Sequence, residues 1–535
     1  MSDIQRNSLS PGGGARRVWR TVAILIAAAG VASCLSADGT VPLPAIAMPG
    51  RDVSAARVML ASYRAIADRY IEDRDFHVLT LETVRGAAAL DPQLRLDDLG
   101  STLRLSAGDR VLLERAAPGS THDSRAWADI AAEMVELLTE ATPMMKEATR
   151  DRVVKAALDA TTKHLDKNSR YSDPQEARDN RFNREGAGGI GVTVQAENDT
   201  TVVTSVQDGA PAAAAGIKAG DRIVGVNSER VTGRPMREIV RTLRGRIGEP
   251  VSVTVFRPSA SSELTFALRR QLIIPTTVSM EQRGDVALIK LSGFNSGTTD
   301  ALRGVLQRLR AEPAGSITGI ILDMRGNPGG LLDQAISVSE LFLDNGLLLT
   351  TDGRHPDSRQ TFRSGNGALL DGVPIVAIMN GRSASAAEIV GAALQDRGRA
   401  ILVGSASYGK GTVQTVVRLP NEGELTLTWS RMHAPSGYAW HELGVLPTVC
   451  TARFAGPDTL PGELDARAQA VRTTMAEWHA TKKLPADRIS RLRATCPPID
   501  DMPGKDVELA ERLLHDRQLY ARALNYAAGA IAERR

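Results

Sequence analysis

Between residues 275 and 450 one pattern repeats: a short, mainly apolar run, a turn, then a stretch whose apolar residues recur at helical spacing. The apolar runs fall at 286–291, 319–323, 375–379 and 400–403, and the helical stretches between them at 299–309, 332–342 and 386–395. Strands that alternate with helices are joined by crossovers, and crossovers set neighbouring strands parallel. Runs without strict apolar/polar alternation fit strands buried on both faces. An α/β domain with a substantially parallel core sheet is expected here.

The chain has 535 residues, room for roughly three domains at ~150 residues each. Residues 1–34 read as an export signal. Arg16, Arg17 and Arg20 precede a charge-free apolar run at 21–32, shorter than the ~20 residues that span a bilayer but long enough for a signal core. The run ends Val31-Ala32-Ser33-Cys34, which resembles a bacterial lipoprotein signal with Cys34 as the lipidated residue; a plain cleaved signal or an uncleaved anchor fits the same run. Residues 35–185 read as a mainly helical N-terminal region, with helices at 54–70 and 127–165 and a small hairpin near 103–113. Residues 456–535 read as a helical C-terminal region. Beyond Cys34 the chain holds two cysteines, Cys450 and Cys496, an even number in an exported chain and a candidate bridge. The net charge of +3 and 4% aromatic content give neither the basic face nor the stacking platforms that nucleic acid binding uses.

Residues 186–270 change character. Short β-rich runs at 190–194, 201–206, 222–226, 251–256 and 264–268 surround one helix at 237–243. Gly188-Gly189-Ile190-Gly191-Val192 opens the segment, and such a turn exposes backbone N–H groups to a carboxylate. Gly209-Ala-Pro-Ala-Ala-Ala-Ala-Gly-Ile-Lys-Ala-Gly-Asp-Arg-Ile-Val-Gly-Val-Asn227 follows. Together these resemble a PDZ domain, which implies capture of a protein's C-terminal tail, with Gly189, Ile190, Gly191 and Val192 as the peptide-binding residues.

Two later motifs carry chemistry. In Gly381-Arg-Ser-Ala-Ser-Ala-Ala-Glu388 a small-residue turn leads from a strand into a helix. A serine there has an exposed hydroxyl, beside helix N–H groups that lack partners and attract negative charge. Ser385-x-x-Glu388 is equally a capping box, and taken alone that reading is preferred. Tyr408-Gly-Lys-Gly-Thr-Val-Gln414 then sets a lysine between glycines at a strand entrance. On an uninterrupted strand Lys410 and Gln414 share a face. A lysine acts as a base only when neutral, so its pKa must fall by roughly 3 units from about 10.4, on the order of 4 kcal/mol; burial supplies this. A solvated surface lysine is the alternative.

The motifs Ser383-Ala-Ser-Ala-Ala-Glu388, Gln395-Asp396, Gly409-Lys-Gly-Thr-Val-Gln414, Asp323-Met-Arg-Gly-Asn-Pro-Gly-Gly330, Gly444-Val-Leu-Pro447 and Leu165-Asp-Lys-Asn-Ser-Arg-Tyr171 stand in the order found in the C-terminal processing (tail-specific) proteases, and the chain resembles that family from about 165 to 450. The resemblance implies a crotonase-like α/β protease core at 271–455 and a PDZ domain at 186–270 inserted in or beside it; no cofactor is expected, and no metal, since no His/Asp/Glu cluster has ligand spacing. It implies Ser385 as nucleophile, Lys410 as general base and Gln414 in support. Oxyanion donors would be the N–H of Ala386 and one from Gly329 or Gly330, with Asp396 organising the site or merely capping its helix. Ser383 is the second choice of nucleophile. A Ser-His-Asp arrangement would have to use His441, which no second motif supports. The chain departs from the family at Thr448, where Asp is usual after the proline, and at Ala387, where many members have serine; residues 51–150 and 460–535 match no part of the pattern.

The expected activity is that of a serine endopeptidase cutting exported proteins near their C-termini. The expected location is the bacterial periplasm, with or without a membrane anchor. Expected partners are protein or peptide substrates with free tails, and the helical ends leave room for an adaptor, an activator or self-association.

Overall fold

Every residue of the strands Gly319–Asp323, Ile375–Met379 and Ile401–Gly404 is buried. The computed structural model describes residues 53–535 apart from 314, 366, 481–484, 501–503 and 533–535, with side chains as far as 526. The signal read at 1–34, with Cys34, lies outside the described residues. The buried strands are the middle of a six-stranded sheet ordered Val278–Arg283, Val286–Leu291, Gly319–Asp323, Ile375–Met379, Ile401–Gly404, Val449–Cys450. The first pair is a hairpin and every later pair is parallel.

Successive side chains of a strand point to opposite faces, and here both faces find a core. Ile320, Leu322, Ile375, Ala377, Met379 and Leu402 meet the helices Thr298–Ala311, Leu332–Glu340 and Ala386–Asp396. Ile321, Val376, Ile378, Ile401 and Val403 meet a second layer made by the helices Leu460–His479, Lys505–His515 and Arg517–Ala532. A boundary after 455 thus cuts through a single core: the C-terminal helices are one layer of the protease-like domain. A disulfide joins Cys450, at the end of the last strand, to Cys496.

A second sheet stands beside the first, ordered Gln360–Ser364, Gly346–Asp352, Glu424–His433, Thr412–Arg418, with the short strand Arg170–Ser172 paired to Glu424–His433. The N-terminal region packs against it: Leu425 and Leu427 share a core with the helices Ala55–Arg69, Phe76–Ala88, Ser124–Leu138 and Arg150–Lys163. The single helix expected at 127–165 is broken. Thr142 caps a new short helix from its side chain, with Pro143 at the first position, where a missing N–H costs nothing. The expected hairpin is a three-stranded meander, Leu94–Asp98, Thr102–Ala107 and Arg110–Ala116.

The PDZ-like module is inserted through a neck. The chain enters along Ala187–Gly189 and leaves along Gln271–Ile273, and these two strands pair antiparallel. Between them, Val192–Glu197, Thr200–Val206, Arg222–Val226, Pro250–Arg257 and Ser262–Arg269 form its sheet, closed by the helix Met236–Leu243 over Val251, Val253 and Val255. Among the described residues no helix is long and apolar enough to cross a membrane.

Candidate active site

The turn after Ile375–Met379 is tied down before it reaches Ser385. Asn380 Oδ1 accepts from Gly326 N–H at 3.0 Å and Arg382 N–H at 3.1 Å. Ser383, fully buried, accepts from Asn380 N–H at 2.9 Å and donates to Met324 O at 2.8 Å. Its hydroxyl is thereby a staple between two strand ends and is not presented to a substrate.

Ser385 has φ 55° and ψ −114°, a left-handed conformation that a residue with a Cβ holds only when its surroundings enforce it. Ala384 N–H, just before it, donates to Asn327 O at 2.9 Å, and Ser385 N–H donates to Glu388 Oε2 at 2.7 Å. Gly329, at φ 98°, lies directly over the serine: a Cβ there would fall 2.7 Å from Ser385 Cβ, so only glycine fits. Ala386 opens the helix Ala386–Asp396, and its N–H has no intrahelical partner. Of the two glycines expected to complete an oxyanion site, Gly329 donates its N–H to Asn327 Oδ1 at 2.9 Å. That donor is already engaged, which leaves Gly330.

Glu388 joins the two motifs. It is fully buried. Its Oε2 accepts from Ser385 N–H and from Lys410 N–H at 2.9 Å; its Oε1 accepts from Gly409 N–H at 2.7 Å and from Ser407 Oγ. Burial pushes the carboxyl pKa up, and the four donors pull it back. Three of those donors are backbone N–H groups, which can only donate. Sequence spacing shows Glu388 only as a local capping partner. Its contacts to 407–410 come from a segment about twenty residues further on.

Lys410 is half-buried. Burial lowers its pKa, the charge of Arg170 adds to that, and Glu388 and Asp166 oppose it. Among the described residues its amine has no carboxylate partner. Asp166, from the 165–171 motif, is itself held by Asn168 N–H at 2.6 Å and Ser169 N–H at 2.9 Å, and Asn168 donates to Thr412 Oγ1 at 3.2 Å. This motif is thereby docked against the segment that follows the lysine.

Other expected residues stand elsewhere. Gln414 donates to Thr412 Oγ1 at 2.9 Å and to Thr412 O at 3.2 Å, not to Lys410. The strand begins only at Thr412, so Lys410 lies ahead of it, outside the regular alternation that would have put Lys410 and Gln414 on one face; the bulge at this point, Trp429, belongs to the partner strand. Asp396 lies at the far end of the helix that Ser385 precedes, where Oδ2 accepts from Ser436 N–H at 2.8 Å and burial pushes its pKa up to about 6. His441 abuts Gly411, but among the described residues no hydrogen bond links it to Ser385. Among the described residues, too, no cluster of His, Cys, Asp and Glu could hold a metal ion.

In the PDZ-like module, Ile190 is buried, Ile190 O accepts from Ala212 N–H at 2.9 Å, and Gly191 O accepts from Gln207 N–H at 2.8 Å. Gly189 pairs with Gln271 in the neck. Ile190 and Val192 line a groove of about 850 Å³ between the strand Val192–Glu197 and the helix Met236–Leu243, with Val194, Met236, Val240 and Leu243 as its apolar walls.

Comparison with known proteins agrees with this layout. The model of peptidase family S41 matches residues 285–451, and a PDZ domain model matches 202–257. A carboxy-terminal-processing protease of Bartonella bacilliformis is 34% identical over 367 residues, covering 67% of this chain and 82% of that protein. A probable CtpA-like serine protease of Staphylococcus aureus is 32% identical over 324 residues, covering 59% of this chain and 64% of that protein. Among solved structures, the photosystem II D1 C-terminal processing protease aligns over 74% of this chain and 93% of its own, at 23% identity and a TM-score of 0.37. With the Bartonella protein matched over most of its length, the chain belongs to the carboxy-terminal-processing proteases, serine-type peptidases of family S41.

Proposed function

We propose that this chain is a serine endopeptidase that cuts exported proteins near their C-termini, with Ser385 as nucleophile and Lys410 as general base. The observation that carries the reading is Glu388, one buried carboxylate that holds the backbone of Ser385 and of Lys410 at the same time. Neutral Lys410 takes the hydroxyl proton as Ser385 attacks the scissile carbonyl. The N–H groups of Ala386 and Gly330 hold the oxyanion, and water releases the acyl group. Gln414, fixed on Thr412, shapes the approach to the lysine without touching its amine. Asp396 acts at a distance, by anchoring the end of the nucleophile's helix.

The PDZ domain supplies the tail preference. Its groove has apolar walls and ends at the glycine-rich turn of residues 188–191, a combination that suits an apolar C-terminal residue with its free carboxylate. Periplasmic export, an anchor at Cys34, an adaptor or activator and self-association belong to the same proposal and rest on the sequence alone.

The test is cleavage of an unstructured protein with an apolar C-terminus by the wild type, Ser385→Ala and Lys410→Ala. Only the wild type is expected to cut; turnover in a folded Ser385→Ala chain would sink the reading. The pH profile is a second check. Because the amine must be neutral, kcat/KM rises with pH through the Lys410 titration, and burial places that rise below the ordinary lysine value of about 10.4.

A further inference from the structure

Both catalytic turns are gripped from outside by a segment that belongs to none of the functional motifs. Residues 493–500 run on from the helix Ala486–Arg493 and cross the two turns in succession. On the nucleophile side, Gly381 N–H donates to Ile499 O at 2.8 Å, and the Asn380 side-chain amide donates to Asp500 O. A Cβ at Gly381 would come within 3.0 Å of Pro498 Cβ, so the segment lies flat against this turn. On the lysine side, Ile499 N–H donates to Ser405 Oγ at 3.0 Å. The Arg493 guanidinium donates to Leu443 O at 2.6 Å, Ser407 O at 3.2 Å and Glu442 O at 3.3 Å. Ser407 and Glu442 are the residues next to the lysine's own support: Ser407 Oγ reaches Glu388, and Glu442 N–H donates to Gly409 O at 2.8 Å. Arg493 therefore acts on Lys410 through two intermediate residues on each path, Ser407 and Glu388 on one and Glu442 and Gly409 on the other.

One covalent bond fixes the segment. Cys496, in its middle, is bridged to Cys450 at the edge of the core sheet, and both cysteines are buried. The neighbouring carbonyls of Ala494 and Thr495 accept from Arg453, each at 2.9 Å, which holds the bridge's two ends in line.

We propose that residues 493–500, locked by the Cys450–Cys496 disulfide, form a positioning strap that sets Ser385 against Lys410, so that turnover rises when these two thiols are oxidised. The proposal rests on the Ser385–Lys410 reading. Closure is a thiol–disulfide exchange. The thiolate of one cysteine opens an external disulfide, and the second displaces the mixed disulfide. The external compound leaves as two thiols that carry away the two electrons and two protons. A chain with both cysteines reduced keeps its motifs but loses the alignment, which links full activity to an oxidising compartment.

The experiment compares the full chain with Cys450→Ser/Cys496→Ser, Arg493→Met and Arg493→Lys, using β-casein as substrate and an apolar tail peptide as PDZ ligand. The expected result is a fall in kcat of about tenfold or more in the double-serine and Arg493→Met chains, with KM and tail-peptide affinity within about twofold of wild type. Arg493→Lys should recover part of the loss, since an ammonium still donates to the carbonyls, and the acid limb of kcat against pH should move with Lys410. Wild type treated with dithiothreitol should lose activity and regain it in oxidised glutathione. A kcat within about twofold of wild type in the folded variants overturns the proposal, as does a parallel loss of kcat and tail binding, which would mean general unfolding. If the double-serine chain does not fold, the Arg493→Met and Arg493→Lys pair decides alone. Ser385→Ala runs alongside: turnover there sinks the dyad reading, whereas a dead Ser385→Ala beside fully active strap variants sinks only the strap.

Discussion

Each oxygen of Glu388 accepts two hydrogen bonds, and the donors come from both the serine and the lysine segments. Glutamine at this position keeps the shape but replaces one acceptor oxygen with an NH2 group. Whichever way the amide turns, that NH2 faces at least one backbone N–H that can only donate, and a buried unmet donor costs about 1–3 kcal/mol. Glu388→Gln is therefore expected to lower kcat by about a hundredfold with little change in KM, measured by steady-state cleavage. Asp396 offers a second residue-level test, through stability. Burial raises its pKa from 3.8 to about 6, so between these values the folded chain holds a proton that the unfolded chain has released. The stability this contributes is full at low pH and lost as pH rises through about 6, on the order of 2–3 kcal/mol. His479 Nδ1 stands 4.0 Å from Asp396 Oδ1. Urea midpoints followed from pH 4 to pH 7 should fall more steeply in wild type than in Asp396→Asn; identical slopes would show that Asp396 does not titrate in this way.

The helix Pro174–Glu185 leads into the PDZ neck and is tied to the protease domain by Ser296 N–H on Arg184 O at 2.9 Å and, through two arginines, by one buried carboxylate. Glu424, with a side chain only 4% exposed, accepts from Arg181 at 2.8 Å and from Arg184 at 2.9 Å. Glu424→Ala would leave the partly buried Arg181 guanidinium without a counter-charge and Arg184 with only Glu185, 3.8 Å away, at a cost of about 3 kcal/mol. Glu424→Gln should lose less, because its carbonyl oxygen still accepts. Denaturant titration of the two variants separates the outcomes, and equal stability of all three chains would remove the anchoring role. The core strands were legible because burial on both faces forces unbroken apolar runs; Ser385 and Lys410 were singled out only by the family resemblance, since a capping serine and a surface lysine fit their local spacing equally well. The face-sharing of Lys410 and Gln414 was not, because the strand starts only at Thr412, and where cross-strand pairing begins is not recorded in one strand's sequence. The break at Pro143 was legible in principle: Thr142-Pro143 is a helix start signal inside an otherwise helical pattern. Glu388 was half legible, its local contact visible in the spacing and its contacts to 407–410 invisible, since they depend on how two crossovers are stacked.

At the scale of the molecule, the C-terminal helices are the part whose role the sequence left open, because an amphipathic helix announces an apolar face but not what that face covers. Here it covers one whole side of the core sheet. Val286, Ile321, Val376, Ile378, Ile401, Val403 and Val449 are all buried under the helices that follow residue 455. At about 1.5 kcal/mol for each side chain returned to water, these seven sum to about 10 kcal/mol, comparable to the ~5–15 kcal/mol net stability of a whole domain. Removal of residues 505–535 takes away Val507, Leu509, Leu513, Leu514 and Leu519 from that layer. It also removes Asp506, whose carboxylate binds Arg325 at 3.3 Å and Thr451 Oγ1 at 2.6 Å. The truncated chain is expected to lose its cooperative unfolding transition and its near-ultraviolet circular dichroism, and to aggregate through the bared sheet. Removal of the PDZ domain should behave in the opposite way. Its two connections, Ala187–Gly189 and Gln271–Ile273, already lie side by side, so a short glycine linker between them closes the gap without disturbing either core sheet. That chain should unfold cooperatively at a temperature close to wild type while losing its affinity for tail peptides. If instead the C-terminal truncation folds and the PDZ deletion does not, the two-layer account of the protease core is wrong.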